Sequence, residues 1–337
     1  ILVGDAATVT VTAAYYAGGV LPGAEVSWRV VATPATFRPP NRDDFVFGTF
    51  VPWWDWRPRP APAGRVETRT ARTDGSGFHR LRVDFDRGDP PGPHVVRAEA
   101  TVMDVNRQAW TAGADILGHP SERYVGLRTE RAFVQKGEPI AIEAIATDLE
   151  GGAVPGRPLR LRAERLDWEQ VEGEWKEVPK DVQEREVPSA AEAVRVRFEA
   201  KEGGAWRVVA RVADERGREN ETELRVGVAG GRVAPRRDLE EERVTLVPDR
   251  KEYREGDVAK VLVLAPFAPA EAVLTLRRSG LVREERFTIA GGSHTLAIPV
   301  EDAFTPNVHV QVDLVGQAPR EEAPAGVKAP GRPAFAS

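Results

Sequence analysis

One arrangement of residues occurs twice in this chain at identical spacing and a third time in shortened form. Gly4-Asp5 precedes a strand-like stretch, and eighteen residues after Gly4 comes Pro22 inside "GGVLPG". Gly137-Glu138 does the same, and eighteen residues after Gly137 comes Pro155 inside "GGAVPG". Both elements are displaced by 133 residues, and each turn is followed by a similar stretch, "AEVSWRV" and "RPLRLRA". A third pair, Gly256-Asp257, opens another strand, with "APFAPAEAVLTL" in place of the turn. Three closing stretches also echo one another: "PHVVRAEATVMD", "AWRVVARVAD" and "NVHVQVDLVG". Repetition on this scale marks one supersecondary unit used several times. The glycine supplies a backbone angle that other residues resist, and the acid beside it can accept from nearby amides.

The local pattern says what the unit is made of. "ATVTVTA" sets Val9 and Val11 against Thr8, Thr10 and Thr12. "WRVVARV" puts Trp206, Val208, Ala210 and Val212 on one face, with Arg207 and Arg211 on the other. "AEVSWRV" and "NVHVQVDLV" alternate likewise, and "TDGSG", "LEGGAVPG" and "AGGSH" carry turn chemistry between such runs. Period-two alternation is the mark of strands with one face on a core and one in water. Helical periodicity is confined to two short candidates, near Leu239–Glu242 and Asp302–Phe304. The sequence therefore predicts an all-β chain of three tandem antiparallel sandwiches, each of about seven strands and roughly 100 residues. The expected units are 1–119, 120–230 and 231–316, with 317–337 as an Ala/Pro/Gly-rich linker toward a further domain.

Composition removes several functions. A net charge of −5 over 337 residues argues against a general nucleic-acid binder. With no cysteine there is no disulfide, thiolate metal site or cysteine nucleophile. No run of about 18 apolar residues is present to span a membrane as a helix. The opening "ILVGDAATVTV" has neither Met nor signal peptide, and "GRPAFAS" ends without a terminating pattern, as expected of a piece of a longer polypeptide.

Candidate sites are few. "FVPWWDWRPRPAP" places Trp53, Trp54 and Trp56 in a proline-stiffened insertion of the first unit. They could form an aromatic shelf for sugars or a partner. The reading preferred here is architectural, with the insertion folding back on its own sandwich and capping a neighbour. His79, His94, His119, His294 and His309 are scattered, with no metal-ligand spacing. "DDF" (43–45) and "DFDRGD" (84–89) offer clustered carboxylates suited to calcium, but match no calcium loop, and "RGD" (87–89) is too short to carry an adhesion reading. No nucleophile elbow, zinc-protease helix motif or phosphate loop is present. The charge runs "EQVEGEWKEV" and "DLEEERV" read as solvated edges. No catalytic, metal or cofactor residue is assigned.

With "PNRDDFVFGTFVPWWDW", "ERYVGLRTERAFVQKGEPIAIEAIATDLEGGAVPGRPLRLRAERLDW" and "VPDRKEYREGDVAKVLVLAPFAPAEAVLTLRRSG" in that order, the whole chain resembles the macroglobulin-like domains of bacterial alpha-2-macroglobulin family proteins. The resemblance implies the scaffold of a periplasmic or extracellular protease trap, without enzymatic activity. Its partners would be target endopeptidases, engaged through the full-length protein, and neighbouring domains of the same chain. It also implies a bait segment beyond the third unit. The thioester of many such proteins, made from a Cys-Leu-Glu-Gln motif, has no residue here to carry it. The competing readings are a surface adhesin or carbohydrate-binding array using the tryptophan insertion, and an array that spaces an enzyme from a surface.

Overall fold

A computed structural model of the chain describes residues 1–16, 18–50, 64–88, 90–171, 174–230, 243–318 and 332–337. The first unit is built from β1 (Ala6–Thr12), β2 (Glu25–Pro34), β3 (Arg65–Arg72), β4 (Phe78–Asp84), β5 (His94–Met103) and β6 (Ala109–Gly118). The second contains β7 (Tyr124–Arg128), β8 (Phe133–Gln135), β9 (Ile140–Thr147), β10 (Pro158–Val171), β11 (Glu174–Pro188), β12 (Val194–Phe198), β13 (Gly204–Ala213) and β14 (Glu219–Ala229). The third contains β15 (Thr245–Pro248), β16 (Val258–Leu264), β17 (Ala270–Arg277), β18 (Leu281–Ile289), β19 (Ser293–Pro299), β20 (His309–Ala318) and β21 (Arg332–Ala336). Asp302–Phe304 forms a single 3-10 turn; the other helix candidate, Leu239–Glu242, lies outside the described residues.

Each unit has two sheets. Their strand orders are β1-β4 over β3-β2-β5-β6, then β12-β9-β7 over β11-β10-β13-β14-β8, then β15-β16-β19 over β18-β17-β20-β21. Strand pairing is antiparallel except where β8 runs parallel to the end of β14. The chain is all-β, and the alternating residues do what their period demands. Val26 and Trp28 enter the first core, Trp206, Val208, Ala210 and Val212 the second, and Val312 and Leu314 the third. Two tryptophans anchor two of these cores at 1% exposure each, and neither loses its polar handle. Trp28 Nε1 donates to His79 Nδ1 at 3.0 Å, and Trp206 Nε1 to the Glu202 carbonyl at 3.1 Å. A fully buried indole needs such an acceptor.

The glycine–acid pairs are one structural device used three times. Gly4, Gly137 and Gly256 have φ of 89°, 89° and 83°. Their amides donate to the Phe85, Ala200 and Val300 carbonyls at 2.9, 2.8 and 3.0 Å, just beyond the strand that pairs with the one each glycine opens. A left-handed residue turns the chain into β1, β9 or β16 and closes that end of the sandwich at the same time. The acid takes its expected role twice, with Glu138 accepting from the Gln135 amide and Asp257 from the Arg254 amide.

The last residues of the chain depart from the linker expected over 317–337. Arg332–Ala336 pairs with β20, with Leu314 opposite Ala336 and Ala318 opposite Arg332. Ala334 and Ala336 are buried in the third core. Small side chains beside a proline look like connector sequence, yet here they fill a narrow space at a sheet edge.

Candidate functional surface at the seams between sandwiches

The residues that enter the tryptophan insertion dock the first unit onto the second. "FVFGTF" opens with alternation, and Phe45 and Phe47 point one way. Phe45 and Phe47, at 4% and 8% exposure, pack with Tyr124 and Ile145 of the second unit, and Phe37, Leu149 and Ala153 border that cluster. Between them Val46 exchanges both backbone hydrogen bonds with Leu127, at 2.8 and 3.0 Å. Two residues on, the Glu223 amide donates to the Gly48 carbonyl at 2.9 Å and the Phe50 amide to the Glu223 carbonyl at 3.1 Å. Leu127 is in β7 and Glu223 in β14, which belong to different sheets. Residues 45–50 therefore form a strap that pairs with an edge of each sheet of the second sandwich, closing the gap between them.

Side chains complete this seam. Thr222 Oγ1 donates to the Val125 carbonyl at 2.7 Å and accepts from the Gly48 amide at 2.9 Å, so one hydroxyl joins both sheets and the strap. Asn220 Oδ1 accepts from the Val125 amide at 3.0 Å. Arg42 Nε donates to the Gly151 carbonyl at 2.9 Å. Gly151, with φ of 87°, has no room for a Cβ, which would collide with the Pro40 carbonyl oxygen. At Gly126 a Cβ would lie 2.7 Å from the Phe47 ring. Arg128 joins Asp44, just ahead of the strap, to Glu143 of β9 and lies over the Phe45 ring, 4.6 Å from its centroid. Hydrogen bonding from the Arg128 guanidinium holds the Glu143 carboxyl below its ordinary range.

At the junction itself, His119 Nδ1 lies 3.0 Å from the Tyr124 hydroxyl, with the Phe37 ring edge-on to the imidazole. Burial lowers the His119 pKa, helped by the nearby N-terminal ammonium, and burial raises that of Tyr124. Both groups are neutral near pH 7, so a single neutral hydrogen bond joins the phenol to the imidazole. A second seam joins the second and third units. Ala132, Phe133 and Ala229 pack against Val247 and Leu262, and the Ala132 amide donates to the Asp249 carbonyl at 3.0 Å. Gln135 Nε2 donates to Thr295 Oγ1 at 3.2 Å, and the Gly230 amide to Ser293 Oγ at 3.1 Å.

The other residues singled out in the sequence lie apart from one another. Trp53, Trp54 and Trp56 fall outside the described residues. His79 serves Trp28, His94 stacks near Phe85, His294 stacks 4.8 Å from Phe287, and His309 is exposed on β20. Of the acids considered for calcium, Asp43 pairs with Arg38, Asp84 with Arg82 and Asp86 with Arg65, while Asp89 lies outside the described residues. Arg87 of the "RGD" triplet reaches Glu219 of the second unit at 2.6 Å. Among the described residues no group of three or more His, Cys, Asp or Glu is arranged to hold a metal ion. Sequence reasoning missed the strap as a docking element, although the alternation of Phe45, Val46 and Phe47 was its signal.

Residues 244–330 match the alpha-2-macroglobulin bait region domain. That range begins at the third sandwich, whereas the resemblance had placed any bait segment beyond it. An alpha-2-macroglobulin homolog of Nostoc sp. is 24% identical over 325 residues, covering 94% of this chain and 17% of its own length. Among solved structures, native Escherichia coli alpha-2-macroglobulin aligns over 98% of this chain and 22% of its own, at 17% identity and a TM-score of 0.46. The trypsin-activated form of the Escherichia coli protein aligns over the same shares at 18% identity and a TM-score of 0.46. The chain thus spans about a fifth of the length of the relatives it matches. A bait region domain thus matches one end of this chain, and an alpha-2-macroglobulin homolog is similar to it along nearly all of its length.

Proposed function

We propose that this chain is a framework segment of a protease trap of the bacterial envelope, periplasmic or extracellular. It does no bond chemistry of its own and meets target endopeptidases only as part of the full-length protein. The observation that carries this reading is the pair of seams. The third sandwich, which matches a bait region domain, is fixed to the second, and the second is held by the strap of the first. Three cores joined in this way form a frame through which cleavage at one end can shift packing at the other, because packed interfaces have discrete arrangements rather than continuous give. No helix among the described residues is long and apolar enough to cross a membrane.

The test is made on the full-length protein carrying Phe47→Ala. An endopeptidase should still cut it, but the enclosed enzyme should lose most of its shielding from a large protein substrate while still cleaving a small peptide substrate. Shielding that is unchanged in the variant, or absent in the parent, would rule out the frame role.

A further inference from the structure

The three sandwiches share a flank between two edge strands: β3 and β4 in the first, β11 and β12 in the second, β18 and β19 in the third. In two of them an aromatic ring fills it. Phe198 of β12, 1% exposed, lies beneath Arg185 of β11, whose Cζ is 5.9 Å from the ring centroid. Beside it the Gln183 side chain covers the open backbone edge of β12. Its Nε2 donates to the Glu199 carbonyl at 2.8 Å, and the Glu199 amide donates to its Oε1 at 3.0 Å. In the third unit Phe287 of β18 stacks on His294 of β19.

The 133-residue displacement of the repeat locates the matching positions in the first unit. Ile140 lies opposite Phe198, and Ala7 opposite Val83. Leu161 lies opposite Arg185, and Trp28 opposite Arg69. Ala163 lies opposite Gln183, and Val30 opposite Glu67. The first unit therefore keeps the arginine, but has a valine in place of the ring and a glutamate in place of the glutamine. Glu67 is drawn to Arg65 and Arg69, at 3.0 and 3.4 Å, and not to the β4 backbone. The Phe85 carbonyl and amide bond to Gly4 and Asp5, so those of Asp84, one residue earlier, point to the opposite side. Among the described residues no group meets them there. The result is a cleft of about 590 Å³ whose lining includes Arg69, Leu81, Val83 and Asp84, and which reaches Thr49 of the strap.

We propose that this cleft binds an extended peptide segment of a partner protein that carries an aromatic side chain. The ring enters between Arg69 and Val83, and the peptide backbone pairs with the open edge of β4 at Asp84. A guanidinium over an apolar floor is a stacking partner for a ring. A free amide and carbonyl at a sheet edge accept one more strand. One short segment meets both demands, doing with its side chain and backbone what Phe198 and Gln183 do in the second unit. The partner chemistry is thus an exposed, strand-forming stretch with Phe, Tyr or Trp at one position.

The probe is the synthetic peptide acetyl-Thr-Val-Phe-Val-Thr-amide, with versions carrying Tyr, Trp or Ala at the centre, titrated into residues 1–337 by calorimetry. An aromatic version should saturate with a Kd below about 1 mM, and the Ala version should bind at least about tenfold more weakly. At saturation the Asp84 amide, followed by NMR, should exchange about fivefold more slowly. Val83→Phe restores the ring of the second unit and should abolish binding. Glu67→Gln restores its backbone cap and should weaken binding about fivefold without lowering the melting temperature. Should Val83→Phe fold poorly, Glu67→Gln carries the comparison alone. No saturation by any aromatic version up to about 2 mM, or affinities that neither variant changes, would overturn the proposal. So would p-cresol binding as tightly as the peptide, since backbone pairing would then contribute nothing. An Asp84 amide already protected without peptide would overturn it in favour of an occupant from this chain or a second copy, which sedimentation tells apart.

Discussion

Replacing Phe47 by Ala tests whether the strap couples the first two sandwiches or merely rests on the second. The ring is 8% exposed and lies against the backbone at Gly126. Removing a phenylalanine from a core costs about 3–5 kcal/mol. At a seam, water can re-enter part of the space, so about 2–4 kcal/mol is expected. The loss falls on coupling, because Phe47 belongs to none of the three large sandwich cores. In the parent, β5 of the first unit and β13 of the second should unfold together in urea, followed by pulsed hydrogen exchange and mass spectrometry of their separate peptides. In the variant the less stable unit should unfold first, its midpoint lower by about 1–2 M for a slope near 2 kcal/mol/M. Gly126→Ala should do similar damage from the other side, and the double variant should cost less than the sum of the two. A variant within about 0.5 kcal/mol of the parent, with β5 and β13 still unfolding in step, would refute the coupling role.

The strand-entry glycine gives a cleaner case, since a Cβ at Gly137 would meet nothing within 4 Å and only its φ of 89° opposes one. Gly137→Val should destabilise the second unit by about 1–3 kcal/mol, and a melting temperature equal to the parent's would show that this angle costs nothing. Burial lowers the pKa of His94, His119 and His294, so the folded chain prefers them neutral. The unfolded chain takes up protons first as pH falls below about 6.5. Stability should be complete above that value and decline from pH 6.5 toward 5.5, and a melting temperature that holds or rises over that interval would contradict the burial argument.

The fold was legible where residues repeat or alternate. A strand with one dry face must place apolar side chains every second residue, so β13 could be read directly from "WRVVARV". The glycine–acid pairs were legible because a positive φ admits few residues, and the same solution recurs at each strand entry. Other elements were hidden by their composition. β21 is "RPAFA", whose one aromatic side chain, Phe335, is 59% exposed, while its core contribution comes from two alanines. Short side chains carry almost no periodic signal, so its place depends on β20 lying beside it. The strap was obscured differently: its alternation was visible, but its partners lie about 80 and 175 residues away in another unit, and no local pattern specifies a distant edge.

The last strand of the third sandwich has a consequence for how that unit is held together. Ala334 and Ala336 reach their core only after the chain has left β20 at Ala318, so the covalent path into β21 runs through residues 319–331. A backbone break there would turn a tethered strand into a bound peptide, held by five residue pairs and by the burial of two methyl groups. Its local concentration, set in the millimolar range by a short connector, would collapse to that of free solution. One peptide-bond hydrolysis would thus convert a permanent wall of the core into a dissociable one.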